Sequence, residues 1–204
     1  MKVALCGSHG IGKTTLVTKL YDYFQRTENN MQPPFTTQIE EMARSVAKDK
    51  GLTNLSMIKT WDKQAVEEFQ WLCVNKQLQE EMKAEDFISD RSIVDVYAYT
   101  KYYGCSRYLL AKTFKIAYTH SKTYDVLFYV PVPTEMEQTN REDGFRLTDM
   151  ESVWQVDTTM KHTLQMLPCD HVWLPLERED WFDYASWYIE KKAVALTSHT
   201  AGVR

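Results

Sequence analysis

The sequence predicts an α/β protein in which about five parallel strands form a sheet that is covered by helices on both faces. Short apolar runs alternate along the chain with segments whose apolar residues recur at helical spacing, as in parallel strands joined by helices. The first apolar run ends in a glycine-rich turn that leads directly into a helix. The 204 residues, of which 44% are hydrophobic, are enough for one domain with a substantial core.

Residues that begin or end regular structure set the predicted limits of the elements. Pro33 and Pro34 separate the first helix from the second strand, and Gly51 ends the helix that follows. Asp62 is a suitable N-cap for a long third helix, and residues 148–151 (TDME) match a capping box. The predicted strands cover 2–6, 35–39, 86–89, 125–130 and 171–174, the predicted helices cover 13–25, 41–50, 63–83, 93–103, 108–120, 149–167 and 179–192, and 52–60 is a predicted loop.

A glycine-rich segment with the sequence GSHGIGKT is the most specific motif in the chain. It has the form G-x-x-x-x-G-K-T and lies between a buried strand and the start of a helix, which is the context that this motif requires. Its glycines allow backbone N–H groups to point at a phosphate chain, and the helix adds the positive end of its dipole. The motif therefore predicts a nucleoside triphosphate site. The residues expected to hold the nucleotide are Gly7, Ser8, His9, Gly10, Ile11, Gly12, Lys13, Thr14 and Thr15.

Two residues of this motif have more specific predicted roles. Lys13 is expected to reach the outer phosphates as a point charge. Thr14 is placed to bind, through its hydroxyl, the Mg²⁺ that bridges those phosphates. The expected cofactors are therefore ATP and Mg²⁺.

The tripeptide Asp90-Arg91-Ser92 follows the third predicted strand. Ligands of open parallel sheets bind at the carboxyl ends of the strands, where the glycine-rich segment also lies. Asp90 can hold Mg²⁺ or accept a proton from an attacking hydroxyl, and Arg91 can stabilise charge on a transferring phosphoryl group. The alternative is a surface pair that only caps the next helix.

Two further groups of residues lie where they could complete a site. Arg141 and Arg146 flank Gly144 within 135–147, a segment that has the composition of a lid closing over phosphates. The alternative is a solvated charged loop.

The second group follows the second predicted strand. Either Glu40 or Glu41 could act as a base or hold a sugar hydroxyl, and Arg44 could hold an acceptor phosphate. An ordinary charged helix face explains these residues equally well. The sequence leaves open whether Asp90 or one of the two glutamates is the base.

Residues 97–122 contain five Lys or Arg and seven aromatic side chains but no acid. Such a composition is typical of nucleic-acid surfaces and makes DNA a candidate substrate. The net charge of −4 argues against non-specific coating of nucleic acid, and packing of the aromatic residues in the core is the alternative.

The composition also restricts where and how the protein works. The four cysteines show neither a C-x-x-C pair nor zinc spacing, which indicates a reducing compartment. No run approaches the ~18 apolar residues that a membrane span requires, and the start of the chain lacks a signal-peptide pattern. We expect one domain over 1–192 with a tail over 193–204, located in the cytoplasm (of the host, if the chain is phage-encoded). The oligomeric state stays open.

Taken together, these motifs resemble those of P-loop nucleoside and nucleotide kinases, in particular the nicotinamide-riboside kinase-like branch. Phage kinases that phosphorylate 5-hydroxymethyluracil within DNA are similar too. The resemblance covers residues 2–192. It rests on the glycine-rich segment, Asp90-Arg91-Ser92, Glu41-x-Ala43-Arg44, Gln70 and Gln77, and Asp143-Gly144-Phe145-Arg146.

The resemblance implies a three-layer P-loop NTPase fold and transfer of the γ-phosphoryl group of ATP to a hydroxyl of a nucleoside-like acceptor. It implies catalytic roles for Lys13, Asp90 and Arg91 and for the lid arginines 141 and 146, and acceptor binding by Gln70. Asp90 stands where deoxynucleoside kinases commonly have Glu, and no typical acceptor signature of thymidylate kinases is evident.

Two other classes of protein compete with a kinase. A GTPase would carry Asn-Lys-x-Asp after a strand, whereas Asn75-Lys76 falls inside a predicted helix and lacks the aspartate. An ATP-gated nucleic-acid-binding protein without phosphoryl transfer would bind DNA with a steep salt dependence. The intact Lys13-Thr14 pair favours the kinase.

Overall fold

A parallel five-stranded sheet forms the centre of the computed structural model, which describes residues 1–26, 34–52, 55–133 and 150–201. The strand order is β2-β3-β1-β4-β5, and each neighbouring pair runs parallel. The strands are β1 (Lys2–Cys6), β2 (Gln38–Ile39), β3 (Phe87–Ser89), β4 (Val126–Tyr129) and β5 (Val172–Trp173), and the helices are α1 (Lys13–Gln25), α2 (Met42–Asp49), α3 (Lys63–Lys83), α4 (Ile93–Tyr102), α5 (Arg107–His120), α6 (Met150–Met166) and α7 (Trp181–Ala201).

Helices cover both faces of this sheet. Val3 of β1 pairs with Ile88 on one side and Val126 on the other, so β1 is the central strand. Alternate residues of β1 enter two different core clusters, because successive side chains of a strand point to opposite faces. One cluster packs under α3, α4, α5 and α6, and the other packs under α1 and α7. The predicted fold class, a three-layer α/β fold of the P-loop type, is confirmed.

The boundaries of several elements differ from the predictions. The predicted loop at 52–60 contains a 3-10 helix over Leu55–Thr60, and β2 has only two residues. Helix α7 continues to Ala201, through most of the segment that we expected to be a tail. The reason is that the residues after 192 keep good helix formers such as alanine and leucine and contain no glycine or proline before Gly202.

The carboxyl ends of β1, β2 and β3 meet at one edge of the sheet, as parallel pairing requires. Residues 7–12 follow β1 there, Glu40 and Glu41 follow β2, and Asp90 follows β3. The backbone of Gly7 has a φ of 148°, and a Cβ at this position would lie 2.6 Å from the backbone oxygen of Val130. Only glycine therefore allows the chain to turn this closely past β4.

Two further observations concern the cysteines and the apolarity of the helices. All four cysteines are free, and three of them are buried. Within the described ranges no helix combines the length and apolarity needed to cross a membrane.

Candidate active site

The glycine-rich loop closes on its own lysine. The Lys13 Nζ atom donates hydrogen bonds to the backbone oxygen of Gly7, at 2.9 Å, and to the backbone oxygen of Ser8. Burial, and after it the nearby charge of Arg91, lower the pKa of Lys13 to about 8. The lysine thus occupies the loop, and an incoming phosphate chain would replace the backbone oxygens as its partner.

The other loop residues attach the motif to its surroundings. The Ser8 hydroxyl donates to the backbone oxygen of Val153 in α6 at 2.9 Å. The His9 ring lies 2.9 Å from the Tyr99 hydroxyl through Nδ1 and 3.3 Å from the Ser152 hydroxyl through Nε2. His9 therefore links the loop to both α4 and α6.

The other residues that are predicted to hold the nucleotide fall into three groups. Gly10 and Gly12 have positive φ values, and Gly12 is the N-cap of α1. The Ile11 side chain is fully buried in the core, so only its backbone faces the site. Thr15 is exposed on α1.

Thr14 and Asp90 form a pair of oxygen donors beside the loop. The Thr14 hydroxyl donates to Asp90 Oδ2 at 2.5 Å. Burial, followed by the charge of Glu41, raises the pKa of Asp90. A hydroxyl and a carboxylate next to a phosphate loop are the hard oxygen ligands that Mg²⁺ prefers, so these residues fit that ion. The structure thus brings together the two residues that the sequence analysis names as candidate Mg²⁺ ligands. Nowhere in the described residues do three or more His, Cys, Asp or Glu side chains form a group that could hold a metal.

The guanidinium of Arg91 connects the loop to the neighbouring elements. Nη1 donates to the backbone oxygen of Gly7 at 3.0 Å and to Asp95 Oδ1 at 3.1 Å, and Nη2 donates to Glu41 Oε1 at 2.9 Å. The guanidinium also packs over the Tyr99 ring, with its Cζ atom 5.3 Å from the ring centre. Burial opposes the charge of Arg91, but Glu41 and then Tyr99 and Asp95 favour it and raise its pKa well above the ordinary value.

A partly enclosed cavity lies on the other side of Arg91. Glu41 reaches it with a side chain that is 13% exposed, and Glu41 Oε2 also accepts a hydrogen bond from Arg44 at 3.1 Å. The Gln70 side chain is buried and lines the same cavity. The polar residues that line the cavity are His9, Glu41, Arg44, Gln70, Gln77, Arg91, Asp95, Tyr99 and Tyr103.

The structure separates the three acids that the sequence left as possible bases. Glu40 is exposed and lines a different surface groove, beside β2. Asp90 faces Thr14 and does not line the cavity. Glu41 alone of the three lines it. The predicted lid at 135–147, with Arg141 and Arg146, lies outside the described residues.

Three residues of this region were not predicted from the sequence. Asp95 accepts four hydrogen bonds, and its only sequence signal is the capping box that it forms with Ser92. In the sequence, Tyr99 is only one of the seven aromatic residues of the basic stretch at 97–122. Arg178 Nη2 donates to the backbone oxygen of Ile11 at 3.0 Å, a contact between segments 167 residues apart that no local pattern could signal.

The basic and aromatic stretch at 97–122 divides into two sets. Tyr97 and Phe114 pack in the core, and Tyr99 and Tyr103 line the cavity, so these four are not part of an outer surface. A second set forms an exposed stripe along α5 and the turn after it, here named the α5 stripe. It consists of Arg107, Tyr108, Lys112, Lys115, Tyr118 and Lys122.

Comparisons with known proteins assign the chain to a family. A family model described as an AAA domain matches residues 2–183, and the chain therefore belongs to this family of P-loop proteins. No curated protein matches the sequence significantly.

Two solved kinase structures and a solved NadR structure share the fold at low sequence identity. A deoxyadenosine kinase from M. mycoides is 14% identical with a TM-score of 0.61, and the match covers 100% of both chains. A NadR protein in complex with NR is 16% identical with a TM-score of 0.63, and the match covers 94% of this chain but only 50% of the NadR chain. A thymidylate kinase from Ehrlichia chaffeensis is 19% identical with a TM-score of 0.51, over 94% and 97% of the two chains.

The buried charge of Lys13 predicts a pH-dependent difference in stability between the wild type and Lys13→Met. The pKa of Lys13 has its ordinary value of 10.5 in the unfolded chain and falls to about 8 in the folded protein. Between these values the unfolded state binds more protons, so the wild type gains stability with pH relative to the variant, by up to about 1.4 kcal/mol per pH unit. Urea unfolding of both proteins from pH 7 to pH 10 measures this difference.

Lys19→Met, which removes an exposed lysine of the same helix, is the control for the loss of one positive charge. Parallel stability curves for the wild type and Lys13→Met over this range would contradict the lowered pKa of Lys13.

Proposed function

We propose that the protein is an ATP-dependent kinase that transfers the γ-phosphoryl group of ATP to a hydroxyl of a nucleoside-like acceptor. One observation carries the proposal: Arg91 joins the phosphate loop to a carboxylate, Glu41, inside a partly enclosed cavity at the same sheet edge. A kinase needs such an adjoining pair of sites, because donor and acceptor must meet in line with water excluded. The deoxyadenosine kinase and the thymidylate kinase that share this fold support the same function.

In the proposed mechanism each side chain has one task. The loop N–H groups and Lys13 hold the phosphates. The oxygen of the acceptor hydroxyl attacks the γ-phosphorus, and Glu41 accepts the proton that this hydroxyl loses. The bond from that phosphorus to the β–γ bridging oxygen breaks, and ADP leaves. Thr14 and Asp90 would hold Mg²⁺, which offsets phosphate charge. Arg91 orients Glu41, and Arg141 and Arg146 remain predicted lid residues.

The charges around the cavity favour a neutral hydroxyl over a phosphate as the acceptor group. Arg91 contacts the carboxylates of Glu41 and Asp95, and Arg44 contacts Glu41 as well. Both arginines are therefore already neutralised, and Glu41 would repel a second anion. A nucleoside fits this arrangement better than a nucleoside monophosphate. The Gln70 amide lines the cavity and could hydrogen-bond to a base or a carboxamide of such an acceptor.

The free cysteines support the cytoplasm as the place where the reaction occurs.

An acceptor panel tests the proposed reaction. With γ-labelled ATP and Mg²⁺, we expect label on free nucleosides or nicotinamide riboside and little on nucleoside monophosphates. A matched nucleoside that lacks the 5′-hydroxyl shows which oxygen is used. Hydrolysis of ATP without label on any acceptor, nucleic acid included, would contradict the kinase function.

Two substitutions separate the proposed roles of Glu41 and Asp90. Glu41→Gln removes the proton acceptor and should lower kcat by about 10²- to 10⁴-fold, while the affinity for a non-hydrolysable Mg·ATP analogue stays close to the wild-type value. Asp90→Asn should weaken that affinity and raise the Mg²⁺ concentration needed for half-maximal rate.

The exposed neighbour Glu40 provides the control, since Glu40→Gln makes the same chemical change outside the cavity. A larger loss of kcat in Glu40→Gln than in Glu41→Gln would show that the base has been assigned to the wrong glutamate.

A second candidate acceptor is 5-hydroxymethyluracil within DNA, and the α5 stripe favours it. The stripe places four cations and two tyrosines on the exposed face of α5 and the turn after it, without an acidic residue. Cations that neutralise phosphates and rings that stack on bases are the combination used to bind single strands. The same stripe would serve an ATP-gated nucleic-acid-binding protein, which would bind DNA without transferring phosphate.

Charge reversal on the stripe tests this candidate. We expect Arg107→Glu/Lys115→Glu to lower affinity for single-stranded DNA by about tenfold or more and to abolish label transfer to DNA that contains 5-hydroxymethyluracil. Lys48→Glu/Lys50→Glu changes the net charge equally at exposed positions away from the stripe. Equal DNA affinity of both double variants, measured by fluorescence anisotropy at several salt concentrations, would exclude the stripe as a DNA track.

A further inference from the structure

We propose that Asp95 is a positioning residue that fixes both the first glycine of the phosphate loop and the guanidinium of Arg91, and so couples the ATP site to the acceptor cavity. This inference rests on the proposed kinase function. Asp95 is 1% exposed, and no residue-level pattern in the sequence gives it a role beyond capping α4.

The two carboxylate oxygens of Asp95 have different partners. Oδ2 accepts from the backbone N–H and the hydroxyl of Ser92, at 2.9 and 2.7 Å, which completes the capping box of α4. Oδ1 accepts from the backbone N–H of Gly7 at 3.2 Å and from Arg91 Nη1 at 3.1 Å. One oxygen thus maintains the helix, whereas the other holds the site.

Asp95 and Arg91 together satisfy both backbone groups of Gly7. The N–H donates to Asp95, and the backbone oxygen accepts from Arg91 at 3.0 Å as well as from Lys13. When Lys13 turns toward phosphates, Gly7 keeps its partner in Arg91. The loop can therefore hold its shape while the lysine changes partners, which is what a pre-organised phosphate site requires.

The hydrogen bonds of Arg91 also position a residue of the acceptor cavity. With Nη1 of Arg91 held by Asp95 and Gly7, Nη2 is directed at Glu41 Oε1 at 2.9 Å. The carboxylate proposed as the base is thus positioned relative to the phosphate loop through one rigid, planar group.

Asparagine cannot reproduce both tasks of Asp95, because it has one oxygen and one NH₂ group. Whichever way the amide turns, the NH₂ group faces hydrogen-bond donors, either Ser92 N–H or Gly7 N–H and Arg91. We expect Asp95→Asn to weaken binding of a non-hydrolysable Mg·ATP analogue by about tenfold or more and to lower kcat by a similar factor. Asp95→Glu, which keeps the charge and both oxygens, should fall between this variant and the wild type.

Ser92→Ala is the matched control, because it removes a cap contact of Oδ2 and leaves the partners of Oδ1 intact. It should lower the midpoint of thermal unfolding while analogue affinity and kcat stay within about threefold of wild type. Calorimetric titration of the analogue, thermal unfolding and steady-state kinetics are measured on all four proteins. If Asp95→Asn does not fold, the comparison of Asp95→Glu with Ser92→Ala decides, with at least threefold weaker binding expected only for Asp95→Glu.

The inference is overturned if the Asp95 variants keep wild-type analogue affinity, or if Ser92→Ala loses affinity as much as they do. In the second case the helix cap alone explains the effect. Failure of the wild type to phosphorylate any acceptor would instead overturn the proposed function, and the analogue affinities would still decide the role of Asp95 in the loop.

Discussion

The buried guanidinium of Arg91 is the group on which the site depends. It contacts the end of β1 through Gly7, the start of α4 through Asp95 and the segment after β2 through Glu41. A buried charge is costly unless its hydrogen bonds are satisfied, and removal of one partner leaves the others unpaired. The three segments therefore hold their relative positions only together, which gives the phosphate loop and the cavity a shared, fixed geometry.

Parallel strand pairing is what allows one arginine to reach all three segments. The pairs β1–β3 and β2–β3 place the ends of these strands side by side, although Gly7, Glu41 and Arg91 are far apart in the chain. The close turn at Gly7, which leaves no room for a Cβ next to Val130, brings the loop back over this edge. The fold thus produces the site by aligning strand ends, and the side chains that follow each strand determine its chemistry.

This alignment also explains how much of the site could be predicted from the sequence. The glycine-rich loop, the Thr14 and Asp90 pair and the general position of Arg91 follow from motif context and strand ends, and the structure brings them together. Glu40 and Glu41 could not be told apart, because adjacent residues at a strand end point in different directions that only the register with β3 determines. Asp95 resembled an ordinary helix cap, and the contact of Arg178 with Ile11 has no local signal. Helix α7 continues to Ala201, past the predicted end at residue 192, because the residues that follow include good helix formers.

The most direct test of this account is a crystal structure of the protein with a non-hydrolysable ATP analogue, Mg²⁺ and an accepted nucleoside. The account predicts that the acceptor hydroxyl lies within hydrogen-bond distance of Glu41 and in line with the γ-phosphate. It also predicts that Arg91 still contacts Gly7, Asp95 and Glu41 after Lys13 has moved to the phosphates. A nucleoside bound outside the Glu41 cavity, or an Arg91 that leaves Gly7 when the analogue binds, would contradict it.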